Sequence, residues 1–187
     1  MENNSRNKTS RIALWTTKEC AFIAIFVALL IAVQLALSFV PGVELVTVLF
    51  VSYAFSMGKA RGMLLATAFS LLRQIVFGLH VTVLILYVVY FNLLTFIFGF
   101  LGNRIKKPIK WLPVIIIVAC LCTVLFSLID CVITPLWYSY PKAAARAYFF
   151  ACIPFMVPQV ICTSISVFAL FIPITRACEV MKKSLQA

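Results

Sequence analysis

AFIAIFVALLIAVQLALSFV, residues 21–40, is long and apolar enough to cross a bilayer as one helix, and it decides the fold. A hydrocarbon core about 30 Å thick takes roughly 20 apolar residues in an α-helix, because in lipid the backbone must satisfy its own hydrogen bonds. Alanine occupies positions 21, 24, 28, 32 and 36, and the last four recur every fourth residue. One face of this helix is therefore bare of large side chains.

The remaining chain has the same character. Of its 187 residues 64% are hydrophobic and 11% charged, and the mean hydropathy is +1.11, far from the composition of a water-soluble domain. Six candidate spans follow, at approximately 19–40, 43–57, 63–79, 81–101, 111–133 and 148–175, the second short and the last long. These runs are continuously apolar where a β-barrel would alternate. The expected fold is an all-α integral membrane protein, a single six-helix domain over 1–187 with a tail at 1–18. That tail is too polar and too long to read as a cleavable leader.

Cations set the expected orientation. Arg6, Lys8, Arg11 and Lys18 precede the first span, Lys59 and Arg61 join the second to the third, Arg104, Lys106, Lys107 and Lys110 join the fourth to the fifth, and Arg176, Lys182 and Lys183 follow the sixth. With six spans all of these fall on one side, against Lys142 and Arg146 on the other, so both termini are expected in the cytoplasm. The net charge of +11 is accounted for by topology and anionic headgroups, and no nucleic-acid partner is expected. Neither the tail, nor GNRIKKPIK, nor TPLWYSYPKAAARA is long enough to enclose a soluble core.

Chemistry within the membrane is sparse. The seven cysteines, at 20, 120, 122, 131, 152, 162 and 178, show no CxxC pair or metal spacing and read as small packing residues, although Cys131 and Cys152 could both approach the outer face. With His80 the single histidine, a two-histidine metal site is excluded, and no HExxH, GxSxG or paired intramembrane carboxylate occurs among the five acids Glu2, Glu19, Glu44, Asp130 and Glu179. No enzyme activity and no cofactor are expected. GKARG lacks the spacing of a phosphate-cradling loop, so any transport has to draw energy from partners.

Small residues let membrane helices approach closely, so the alanine face is either packed inside the bundle or a docking surface for another subunit. A chain of this length, with six spans, cytoplasmic termini, AxxxA repeats in the first helix and a short second helix after Pro41-Gly42, resembles the S-components of energy-coupling factor (ECF) transporters. These are substrate-binding subunits of vitamin uptake systems. The resemblance implies a bacterial plasma membrane, docking of Ala24, Ala28 and Ala32 on a transmembrane coupling subunit, two ATPase subunits beyond it, and a vitamin as cargo. Overall likeness puts cobalamin first, with pyridoxine and pantothenate next. The stretch PGVELVTVLFVSYAFSMGKARG looks like the first loop and second helix of vitamin-specific members, which would bring Glu44 to the pocket mouth or leave it as a solvated interfacial carboxylate.

Further pocket candidates are polar residues that are costly in lipid. Arg73, inside the third helix, should face the protein, and Ser70, Arg73, Phe77 and His80 share a stripe bordered by Gln74. Arg73 then meets a ligand, pairs with Asp130 or reaches toward the outer headgroups. Tyr87 and Tyr90 suit a ligand, while Asn92, Thr95, Gly99 and Gly102 suit helix packing. In the sixth helix Gln159, Thr163 and Ser166 form a polar stripe, for a cavity or for bonds to neighbours. Trp137, Tyr138, Tyr140 and Tyr148 belong to an aromatic belt or a lid. Two other classes remain: a six-helix scaffold of the cell-wall elongation machinery, and an intramembrane enzyme acting on lipid.

Overall fold

The computed structural model describes residues 17–40, 45–105 and 107–186. Glu44, the Pro41-Gly42 turn, Lys106 and the tail cations Arg6, Lys8 and Arg11 lie outside the described residues. Six helices follow in order: α1 Thr17–Leu37, α2 Val46–Met57, α3 Lys59–Phe77, α4 Val81–Arg104, α5 Leu112–Trp137 and α6 Lys142–Gln186, with a 3₁₀ turn at Pro108–Trp111 before α5. No strand occurs among the described residues. Five of the six are long and apolar enough to cross a membrane, and α2 is shorter. The architecture is that of a multi-pass membrane protein. Its lipid-facing surface carries Ile25, Ile75, Leu121, Ile165 and Phe168, all exposed.

Breaks between helices have local causes. Gly58 separates α2 from α3 at a φ of 88°, a conformation that a Cβ would strain. Gly78 does the same between α3 and α4. The bend between α5 and α6 is tighter than the expected outer loop. Only 138–141 separate the two helices, because KAAARAY is made of strong helix formers and continues α6 outward to Lys142. At its other end α6 runs past the expected limit of 175 to Gln186, since nothing after Pro173 interrupts it. At 45 residues it is about 67 Å long, more than twice the hydrocarbon thickness. Pro154, Pro158 and Pro173 each remove a backbone donor along it.

All twelve residues of α2 are buried. It packs against α6, α4 and α3, and more lightly against α1 and α5. Around it lies an aromatic core in which Phe50 stacks on Phe91 at 4.4 Å and meets Phe69 edge-on at 5.2 Å. The small face expected on α4 serves packing. Asn92 bonds to Thr67 of α3, and Gly99 and Gly102 press on the backbone of the α2–α3 junction. A Cβ at Gly102 would lie 2.0 Å from the Phe55 carbonyl oxygen. Glu19 and Arg61 pair across α1 and α3 at the cation-rich end. None of the seven cysteines is in a disulfide, Cys131 and Cys152 included.

Candidate functional site

At the end of the bundle away from most of the cations, all six helices contribute to one cavity of about 460 Å³. Gln34, Leu37 and Ser38 come from the end of α1, Val46 from the start of α2, and Arg73 and Phe77 from the last turns of α3. Tyr87, Phe126, Phe155 and Gln159 complete it from α4, α5 and α6. Twelve residues of helix give α2 a length of about 18 Å, so by itself it covers only part of the core. A full-length second helix would run through this space, so the shortness of α2 is what leaves room for it.

Arg73 is held in place by neutral groups. Its Nε donates to Gln34 Oε1 at 3.0 Å, and Gln34 Nε2 donates to the Tyr87 hydroxyl at 3.0 Å. The guanidinium carbon sits 4.5 Å from the Phe77 ring centre and 4.4 Å from that of Tyr87. Such stacking fixes the planar fork while leaving its edge available. No carboxylate pairs with Arg73 among the described residues. The expected alternative, a bond from Arg73 to Asp130, is not formed.

Asp130 stands in an adjoining lobe of about 340 Å³, which shares Phe126, Phe155 and Gln159 with the first. Its two oxygens accept from Thr134 Oγ1 at 2.9 Å and Tyr148 Oη at 3.0 Å. Between the lobes, Gln159 Oε1 accepts from Ser127 Oγ at 3.1 Å. Deeper along the same seam Thr123 meets Thr163 at 3.2 Å and Cys120 meets Ser164 at 3.0 Å, a polar ladder that joins α5 to α6. The joint cavity thus offers a cation at one end, a hydrogen-bonded carboxylate at the other, and aromatic rings and amides between.

Of the residues singled out in the sequence, Arg73, Phe77, Tyr87 and Gln159 line the first lobe, and Asp130 with Gln159 the second. Gln74 lies behind them, 5% exposed, its Oε1 accepting the backbone N–H of His80 at 3.3 Å where α4 begins. His80 itself is exposed at that junction. Tyr90 is buried against Phe126, their rings 4.7 Å apart, and Thr163 belongs to the seam. Trp137 and Tyr138 are exposed at the end of α5. The sequence reading passed over Gln34, Ser38, Phe126, Ser127 and Phe155. Gln34 had a signal: an amide in an apolar span is costly in lipid unless it faces the protein, the argument that selects Arg73.

Ala24, Ala28, Ala32 and Ala36 all lie exposed on α1. The opposite face, with Ile23, Phe26, Val27 and Leu30, supplies the buried contacts. Helix α1 packs on α3 and α2, at the edge of the bundle. Comparisons with protein-family models, curated proteins and solved structures return no match.

Proposed function

We propose that this chain is the substrate-binding subunit of an ECF-type uptake transporter, in a bacterial plasma membrane with both termini cytoplasmic. The observation that carries the reading is Arg73, stacked between two rings and unpaired with any described carboxylate, inside a cavity to which every helix contributes. A cation held this way in an apolar surround fits a bound anion or polar organic group, because an unmatched charge there is otherwise costly. The exposed alanine face of α1 supports docking on a transmembrane coupling subunit, which would link the chain to two ATPases. The chain has no catalytic role in this scheme.

The cargo is a vitamin or a similar micronutrient. Cobalamin, first by overall likeness, is far larger than a cavity of this volume, which falls in the range that encloses drug-sized ligands. Pyridoxine and pantothenate are of matching size, and a carboxylate such as that of pantothenate complements Arg73. The scaffold and lipid-enzyme readings give this arrangement of Arg73, Gln34 and Tyr87 no task. Calorimetric titration of the detergent-purified protein with cobalamin, pyridoxine and pantothenate tests the assignment. Saturable one-to-one binding of one of them supports it; a folded protein that binds none moves the function to the scaffold class.

A further inference from the structure

A second concavity lies at the opposite, cation-rich end, and it is independent of the solute cavity. It measures about 490 Å³ and is bounded by the segment before α5 and by the later part of α6. Lys107, Lys110 and Arg176 line it together with Glu179, so three cations face one carboxylate. No ion pair to these three cations forms among the described residues. Ile109 and Ile172 supply apolar wall.

Three cations from two separate segments line this one hollow beside an apolar wall, and none of them is ion-paired among the described residues. Charge asymmetry across the membrane needs only that cations sit in these segments; it does not require them to converge on one hollow.

We infer that this hollow is a phosphate-binding site, occupied by the headgroup of an anionic phospholipid from the leaflet at the cation-rich end. Lys107, Lys110 and Arg176 would hold the phosphate. Ile109 and Ile172 suit the start of an acyl chain. Glu179 is an acceptor beside the cations, which a bare phosphate would not use and which the hydroxyls of a glycerol headgroup would. That difference favours the lipid over free phosphate.

The test uses the full chain in neutral detergent, titrated separately with phosphatidylglycerol, phosphatidylcholine and inorganic phosphate, with bound species counted by native mass spectrometry. Tight one-to-one binding of phosphatidylglycerol alone is expected. Replacing Lys107, Lys110 and Arg176 together by Gln should weaken it roughly a hundredfold, at about fivefold per charge. Lys142→Gln with Arg146→Gln at the other end should change nothing. Equal binding of the two lipids, or full binding by a folded triple variant, overturns the site. Inorganic phosphate binding as tightly as phosphatidylglycerol upholds the phosphate chemistry and overturns the lipid as its source.

Discussion

Arg73 concentrates the site into one side chain, and its setting yields a sharp prediction. Three neutral neighbours, Gln34, Phe77 and Tyr87, position the guanidinium while leaving its charge unneutralised. Arg73→Gln should weaken ligand binding by roughly 10- to 100-fold, the loss expected for a charge-assisted hydrogen bond, while the protein stays folded. Gln34→Leu removes the bond that orients Arg73 and should cost affinity too, by a smaller factor. Calorimetry on both variants checks the order, and equal affinity in Arg73→Gln and the unmodified protein would remove Arg73 from the site. Arg73 was legible in the sequence because a cation inside an apolar run needs an interior reason. Phe126 and Phe155 were not, since a phenylalanine in a membrane helix looks the same whether it faces lipid, core or cavity.

Among the elements, α1 and α4 use small residues for opposite ends. On α4, Gly99 and Gly102 let the backbone of the α2–α3 junction approach, and Gly102→Val would force a side chain onto the Phe55 carbonyl. Destabilisation of about 1–3 kcal/mol or more is expected, read as a lowered unfolding temperature. On α1 the alanines lie exposed, so Ala28→Leu adds bulk on a face turned away from the buried contacts of the described residues. Binding should survive that change and coupled uptake should fail; normal uptake in reconstituted vesicles would contradict docking through this face. The spacing of alanines was plain in the sequence, but not whether the face is inside or out, because both uses need the same small side chains. The reach of α6 was also hidden. Tyrosines and prolines around 135–141 read as a broad loop, while the alanines that follow extend the helix outward to Lys142.

At the scale of the whole molecule, hydropathy alone placed α1 to α5 to within about four residues but not the two ends of α6, and a single short helix shaped the rest. With α2 wholly buried and starting only at Val46, the bundle leaves room for a polar cavity at the end away from most of the cations. Six spans with both ends of the chain on the cytoplasmic side is the topology that the cations favour. Reporter fusions at each terminus should both read cytoplasmic, and opposite readings would break the six-span scheme. What the sequence left unreadable is the convergence of helices distant in order, since Gln34, Arg73, Tyr87 and Gln159 meet only through packing around α2.

The most direct test of a solute-binding cavity is the mass of the intact protein, purified gently in detergent from cells grown in rich medium. The account predicts a stoichiometric small organic molecule, lost on denaturation and depleted in the Arg73→Gln variant. A folded protein that carries no such molecule, and takes up none when vitamins are supplied in excess, would contradict it.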